Sequence, residues 1–462
     1  MLLPLLPRRG LRRLVPLVPV TRSDGPATPL RWRVPACNSL APPSQYAQRT
    51  HESPIPHVPD SRAGGVLRGH CAHAWFVYNL GLEQRSWWQP GRRSIHFVDQ
   101  CRELTAARAE NPWLAEGSSV VQQQALKDLT QAFVNFFEHP QHFGYPTFRR
   151  KGDREGFRLV GQSFGIQQLS ARWGEVRVPK GGRIRFRLSR PLPEGVKSCR
   201  INRDCSGRWH ASFPGPQPAV SRRPTGAMVG LDRGVAVSVA TSDGELLHAP
   251  KQDSEQRCRM RRLQRRLARQ TKGSNRSART KLAIGRLKAK ERDRRKDWVE
   301  KTSTHLIQAY DTVVLESLQV HRMTRSAKGT RERPGRNVRQ KAGLNREILA
   351  SGWGELARRV KEKGEASGVS VVEVSGAFTS QTCAVCWSVR QENRESQAVF
   401  HCRDCGHRAN ADVNAAVVIR ERGIWMLAPA AGHAVAARGA DRNAGATNRE
   451  LTLAASAARP AG

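Results

Sequence analysis

Residues 379–423 read TSQTCAVCWSVRQENRESQAVFHCRDCGHRANADVNAAVVIRERG, and this stretch decides how the rest of the chain is arranged. Cys383, Cys386, Cys402 and Cys405 form two C-x2-C pairs with a fifteen-residue spacer. Two residues between thiolates let both sulfurs of one tight turn reach the same ion, and two such turns close a tetrahedral site of four thiolates. The spacing therefore predicts a structural Zn2+ ribbon. Gly406 follows the second pair, where a left-handed turn favours glycine. Trp387 follows the first, so that turn is expected to be strained or differently shaped. Asn410 or Asp412 can cap a helix running through Ala415, Ala416 and Ile419 and stopping at Gly423. A carboxylate in the first turn of a helix beside a metal-pinned ribbon is held in place, which makes Asp412 a candidate site residue.

The 462 residues suffice for two or three domains with substantial cores. Lys and Arg number 78 against 39 Asp and Glu, a net charge of +39 and a pI near 11.3. A small acidic metabolite needs no such field, whereas a polyanion does, because each neutralised phosphate releases counterions. A purely RNA-coating protein is the plainer reading of the same charge. Cys37, Cys71, Cys101, Cys199, Cys205 and Cys258 lack framework spacing, which points to a reducing compartment. No apolar run approaches a membrane span, and the opening MLLPLLPRRGLRRLVPLVPV splits its apolar patches with arginines and prolines, unlike a secretory signal. Residues 1–64, rich in Pro and Arg, are expected to be a disordered or mis-started extension.

From Val66 onward, three helical runs are expected: VLRGHCAHAWFVYNLGLEQRSWW, Asp99–Arg108 and Ser118–Phe137. Ser118 or Ser119 would cap the third, with Val121, Ala125, Leu129, Ala132 and Phe136 buried and Phe133, Phe136 and Phe137 in the core. Trp87 and Trp88, before Gln-Pro-Gly-Arg-Arg, are candidates for stacking on bases. This helical nucleic-acid-binding region spans 66–143. In 144–225, EVRVPKGGRIRFRLSR and KSCRINRDCSGRWHASF alternate apolar with basic residues around glycine turns, predicting a small antiparallel β module. Arg183 and Arg185 on its strands are candidate phosphate contacts.

A new domain opens at Met228 with MVGLDRGVAVSVATSDGELLHA, which places Asp232 on the first strand of a hairpin between Gly230 and Gly234. Residues 255–310 read as a basic helical hairpin broken at Gly273-Ser274-Asn275. Met260, Leu263 and Leu267 form its apolar edge, and Arg257, Arg261, Arg262, Arg265, Arg266 and Arg269 face nucleic acid. Thr312-Val313-Val314-Leu315 is a covered strand ending in Glu316, at the carboxyl edge where sites in such sheets collect. Residues 321–346 are expected to be a loop, followed by a helix from Arg346 to about Lys363 and a strand Val369–Val374.

Asp232, Glu316 and Asp412 thus come from a first strand, a later strand end and a helix start. Three carboxylates converging in a basic protein suit two Mg2+ ions about 4 Å apart on a phosphodiester. The series GLDRG, basic hairpin, VVLESL, KAGLNREIL, FTSQTCAVC, FHCRDCGHRANADVNAA resembles the TnpB/OrfB proteins of bacterial insertion sequences, relatives of type V CRISPR effectors, over roughly 66–423. The resemblance implies an α/β fold: an RNase H-like RuvC nuclease domain with an inserted four-cysteine zinc ribbon, preceded by the helical region and a wedge-like β module. The nuclease parts would be 228–376 and 410–426, the ribbon 377–409, and 427–462 a disordered tail. It implies that Asp232, Glu316 and Asp412 bind catalytic Mg2+. It also implies that a transposon-derived guide RNA selects DNA target beside a short adjacent motif, in a cytoplasmic, nucleoid-associated bacterial protein. Three departures stand out, one of them Trp387 in place of the usual knuckle glycine. Residues 1–64 do not resemble the family's opening strand and helix, which predicts a β module short of one strand. Ser375-Gly376-Ala377 stands where proline is common. The rival expectations are a catalytically silent or truncated RNA-guided DNA-binding protein and a DNA transposase acting without guide RNA.

Overall fold

The computed structural model describes residues 53–57, 61–89, 91, 93–150, 152, 155–188, 192–215 and 217–428. The expectations for residues up to 52 and for the tail from 429 lie outside them. The N-terminal part runs β1 (Ser53–His57), α1 (Ser61–Ser86), α2 (Phe97–Glu110), α3 (Pro112–Glu116) and α4 (Ser119–Glu138). It continues through β2 (Gly156–Val160), β3 (Gly165–Gln168), β4 (Trp173–Val178), β5 (Gly182–Arg187), β6 (Ser198–Arg203) and β7 (Trp209–Phe213). The strands form two antiparallel sheets, ordered β1-β7-β6-β2 and β3-β4-β5.

β1 corrects, for residues 53–57, the expectation of disorder over 1–64, and it corrects the expectation of a β module one strand short. Ser53 to His57 pair antiparallel with Phe213 to Trp209. Pro54 and Pro56 hide this strand in the sequence, and they are tolerated because β1 is an edge. α1 likewise begins at Ser61, ahead of the expected Val66. The helices and both sheets share one core, in which Leu82 of α1, Leu129 of α4, Leu159 of β2 and Phe186 of β5 are fully enclosed. Ser118 caps α4 as expected, accepting from the Val121 N–H. The buried face of α4 is Val121, Gln122, Ala125, Leu126, Leu129 and Phe133, rotated from the expected stripe, so Ala132 and Phe136 are half-buried and Phe137 is 69% exposed. Gln122 can be buried because its amide is satisfied: Arg108 donates to its Oε1, and its Nε2 donates to the Leu114 carbonyl at 2.8 Å.

The second part contains β8 (Met228–Asp232), β9 (Val239–Thr241), β10 (Leu246–Leu247), α5 (Ser254–Ala268), α6 (Asn275–Ala309) and β11 (Thr312–Glu316). There follow α7 (Val320–Met323), α8 (Val338–Ser351), α9 (Trp353–Ser367), β12 (Ser370–Val374), β13 (Val399–His401), β14 (Arg408–Asn410) and α10 (Ala411–Leu427). Five strands make one sheet, ordered β10-β9-β8-β11-β12, in which β8, β11 and β12 are parallel and β9 and β10 antiparallel. Strand alternation assigns its faces. Val229, Leu231, Val313 and Leu315 pack on α6 and α9, through Val299, Leu306, Ile307, Leu356 and Val360. The opposite face carries Gly230, Val314 and Val374 and meets α10 through Ile419.

α10 lies against the sheet because both surfaces have a gap in their side chains. A Cβ on Gly230 would stand 2.1 Å from the Ala416 carbonyl oxygen, and one on Gly423 would stand 2.4 Å from a Val314 methyl. Gly423 is therefore not the helix stop expected from sequence but a buried contact through which α10 continues to Leu427. Gly230→Ala should cost about 3 kcal/mol or displace α10, since its obstacle is backbone; thermal unfolding of the full chain measures it, and an unchanged Tm would refute the packing argument.

Two other expectations change. Residues 321–346 are half helical, holding α7 and the start of α8. The single helix expected from Arg346 is two, α8 and α9, because Gly352 at φ +75° breaks the run. The basic hairpin, α5 and α6, stands as expected. Gly285 of α6 admits the Cys205 carbonyl between β6 and β7, where an added Cβ would be 2.1 Å from that oxygen. Beside it Asp204 accepts from the Arg208 main-chain N–H (2.9 Å), His210 Nε2 (3.2 Å) and Arg292 Nη2 of α6 (3.1 Å). Burial raises the Asp204 pKa, but hydrogen bonds from Ser206, Arg208, His210 and Arg292 outweigh it and hold the carboxyl far below its usual range.

Candidate active site

Asp232 and Glu316 end neighbouring parallel strands, one residue beyond the pair Leu231↔Leu315. Period two turns both toward the face that α10 covers. Asp412 lies in the first turn of α10, whose N-cap is Asn410. The Asn410 Oδ1 accepts from the Asp412 N–H at 3.0 Å and the Val413 N–H at 3.2 Å. The three carboxyls predicted from sequence thus come to one end of the sheet. Their electrostatics report the convergence: burial first, then the charges of Glu316 and Asp412, push the Asp232 carboxyl up to about 7. Burial also raises Glu316, against the opposing pull of Arg233. Hard oxygen donors gathered at one end of a sheet fit divalent cations of the Mg2+ type.

Two arginines that sequence reading passed over complete the surroundings. Arg233 is buried; its N–H donates to Glu316 Oε1 at 3.2 Å, and its guanidinium donates to the Glu316 main-chain carbonyl and, at 3.3 Å, to the Trp353 carbonyl. Trp353 returns a bond from Nε1 to the Gly234 carbonyl at 3.1 Å. Arg233 therefore ties both acidic strand ends to the start of α9. Its one sequence signal was its place directly after Asp232. Arg394, from the segment between the two cysteine pairs, donates to Asp412 Oδ1 at 3.2 Å. No local pattern pointed to it, because the contact joins residues eighteen apart across two turns.

Gly376 sets the room for Glu316: an added Cβ would sit 2.9 Å from Oε2. That oxygen ends a side chain and can move, so Gly376→Ala should leave Tm within about 1 °C while displacing the carboxylate. The expected result is an apparent affinity for Mg2+ lowered roughly tenfold, with binding recovered at higher metal concentration. A variant indistinguishable from wild type in metal titration would refute the contact.

Cys383, Cys386, Cys402 and Cys405 bring their sulfurs within 4.8 Å of one another, with 3.7 Å between Cys383 and Cys405 and 3.5 Å between Cys386 and Cys402. Among the described residues this is the one cluster that tight; the carboxyls stand further apart. The two turns are copies. The Trp387 N–H donates to the Cys383 carbonyl and the Gly406 N–H to the Cys402 carbonyl, both at 3.1 Å. Trp387 (φ +63°) takes the same left-handed value as Gly406 (φ +73°), so the first turn is strained but not reshaped. The Trp387 ring rests on Trp425 of α10, centroids 4.5 Å apart. A backbone N–H from His407 leads the effects that lower the Cys405 thiol to about 7, whereas burial raises Cys386. Asn414 joins the ribbon to α10, donating to the Thr382 carbonyl at 2.8 Å and accepting from the Ala384 N–H at 3.0 Å.

Of the predicted nucleic-acid contacts, Arg257, Arg261, Arg262, Arg265, Arg266 and Arg269 line the exposed side of α5, while Met260, Leu263 and Leu267 turn inward. Arg183 and Arg185 are exposed and both face Glu175, at 3.2 and 4.0 Å. Trp87, 70% exposed, and Trp88 stand outside the core. Among the described residues no helix is long and apolar enough to cross a membrane.

Residues 215–327 match the OrfB_IS605 family, described as "Probable transposase", and residues 353–419 match the family described as "Cas12f1-like, TNB domain". The chain is 37% identical over 378 residues to a protein of Escherichia coli (strain K12) named "Putative RNA-guided DNA endonuclease InsQ", covering 81% of this chain and 90% of that one. It is 32% identical to a Streptomyces pristinaespiralis protein named "Putative RNA-guided DNA endonuclease", over 79% of this chain and 85% of that one. In fold it is similar to the Cas12f1 chain of a complex with single-guide RNA and target DNA, with a TM-score of 0.50 and 14% identity over 78% of this chain and 83% of that one.

Proposed function

The chain belongs to the TnpB/OrfB family of insertion-sequence-encoded RNA-guided nucleases, and on that premise we propose that it is itself an Mg2+-dependent DNA endonuclease. It would be directed by a transposon-derived guide RNA to DNA beside a short adjacent motif. The observation that carries the reading is the delivery of Asp232, Glu316 and Asp412 to one end of the sheet, with α10 held there by glycine contacts and by the ribbon. The sheet, α10 and the helices behind it then act as a RuvC-type nuclease domain. Asp232, Glu316 and Asp412 hold the divalent ions, which when bound supply an activated water and neutralise the leaving oxygen. The four cysteines hold a structural Zn2+, which fits four sulfurs at this separation.

The chain's own residues account for orientation. Arg233 fixes Glu316 through its main-chain carbonyl and one carboxylate oxygen. Arg394, which donates to Asp412, would stabilise the negative charge of a phosphate held at the carboxylates. The arginine face of α5 supplies sequence-independent attraction to the nucleic-acid backbone. Sequence choice is left to base pairing with the guide.

A plasmid-cleavage assay tests this. The protein is co-expressed with RNA from its flanking transposon sequence and given a randomised adjacent-motif library with Mg2+ or with chelator. Cutting that needs both RNA and Mg2+ and disappears in Asp232→Ala supports the proposal. Guide-dependent retention of DNA without cutting would replace it by an RNA-guided binder, and joining of transposon ends without RNA would replace it by a transposase.

A further inference from the structure

Two aromatic residues of the ribbon region have a left-handed backbone, Trp387 (φ +63°) and Phe378 (φ +60°). That conformation costs a residue bearing a Cβ roughly 1–2 kcal/mol that glycine does not incur. Packing on Trp425 accounts for the Trp387 ring. The Phe378 ring has no comparable support: it remains 50% exposed.

The turn after Phe378 explains its backbone but not its side chain. Its carbonyl accepts from the Gln381 and Thr382 N–H groups, at 2.9 and 3.0 Å, and from the Thr382 hydroxyl at 2.8 Å. Glycine would make the same turn with less strain. The segment leading to it is clamped, since Arg422 Nη1 of α10 donates to the Ser375 carbonyl at 2.7 Å and the Ala377 carbonyl at 2.9 Å. Two residues before Phe378, Gly376 abuts the Glu316 carboxylate. Two residues span at most about 7 Å, so Phe378 stands at the rim of the carboxylate site, on a segment anchored from both sides.

An exposed aromatic, rigidly presented in a strained conformation beside a site for phosphodiesters, has the chemistry of a stacking platform, because every nucleobase offers a π face. We propose that Phe378 stacks on a base of the single DNA strand that enters the carboxylate site, close to the phosphate to be cut, and so sets which phosphate reaches Asp232, Glu316 and Asp412. This rests on the nuclease reading above.

The test uses the full chain co-purified with its RNA and single-stranded DNA oligonucleotides carrying 2-aminopurine at one position at a time. Binding is read by fluorescence quenching in an Asp232→Asn background, which keeps the strand intact, and cutting is read in the Asp232 protein with Mg2+. Quenching is expected at one position. It should disappear in Phe378→Ala and Phe378→Gly and persist in Phe378→Trp, with kcat/KM for cutting lowered roughly tenfold in the first two. Phe378→Gly should unfold at the same temperature as wild type or higher, because it relieves the left-handed strain. A structural role predicts the reverse, a lower Tm. Quenching that is absent from the Phe378 protein, or unchanged in Phe378→Gly, would overturn the inference. The two readings fail separately. Cutting that depends on Asp232 but ignores Phe378 would refute stacking alone, whereas Phe378-dependent quenching without any cutting would refute the nuclease alone and leave the base-stacking site.

Discussion

Asp232→Asn is expected to reduce Mg2+-dependent DNA cutting by at least about a thousandfold while leaving RNA and DNA binding in place. A metal ion contributes several kcal/mol of charge stabilisation, and each 1.4 kcal/mol is tenfold in rate. Binding should survive because, in the proposed reading, it draws on arginines of other elements, such as those of α5. The same variant should reveal the strain held in the carboxylate cluster. Burial and the charges of Glu316 and Asp412 hold the folded Asp232 pKa at about 7, above its ordinary 3.8. Between these values the folded state keeps a proton that the unfolded chain has released. Without metal, stability from this group is therefore present below about pH 4 and lost as pH rises toward 7. In chelator, Asp232→Asn should thus match wild type in Tm below about pH 4 and exceed it increasingly from pH 5 to pH 8, where Mg2+ should restore wild type and leave the variant unmoved. Comparing the two proteins at each pH cancels the buried histidines His70, His73 and His210, whose lowered pKa values work in the opposite direction. Parallel Tm curves from pH 5 to 8 would show that Asp232 does not face the other two carboxyls.

Loss of the four-cysteine metal should be nearly as damaging, by a different route. Structural zinc contributes on the order of 10 kcal/mol to the folding of a small ribbon, and the apolar core of residues 379–410 is small. Their enclosed core is Cys383, Phe400 and Cys402 with Ala411 of α10. Cys402→Ser is expected to release Zn2+, open the ribbon and free both Arg394 and the start of α10, so that cutting is lost although all three acids are intact. Hydrogen exchange should rise across 379–410 while the N-terminal core around Leu129 and Phe186 stays protected. One equivalent of Zn2+ per chain in the purified protein, and none in the variant, is the accompanying measurement. A variant that keeps its ribbon protected would show that the cysteines do not bear this load.

Particular residues show what could be read in advance. The C-x2-C spacing announced the four-sulfur cluster, because ligand geometry is local to each turn. Asp232, Glu316 and Asp412 stood out because each ends or begins an element whose apolar pattern marks its boundary. The hairpin of α5 and α6 was legible from Met260, Leu263 and Leu267 and the break at Gly273. Where glycine or proline served packing rather than chain reversal, the reading went astray. Gly423 passed for a helix end although it makes room for Val314, and Pro54 and Pro56 hid an edge strand.

The sequence by itself therefore determined the basic hairpin, the covered strand β11, the cysteine cluster, the basic field and the places of the three acids on their elements, since these follow from periodicity, spacing and charge along the chain. Only the tertiary structure decided that Arg394 reaches Asp412, that Arg233 braces Glu316, that Gly376 borders its carboxylate, and that Phe378 is presented at the rim. Each of these is a contact between segments or a backbone angle, and neither leaves a periodic trace in the chain.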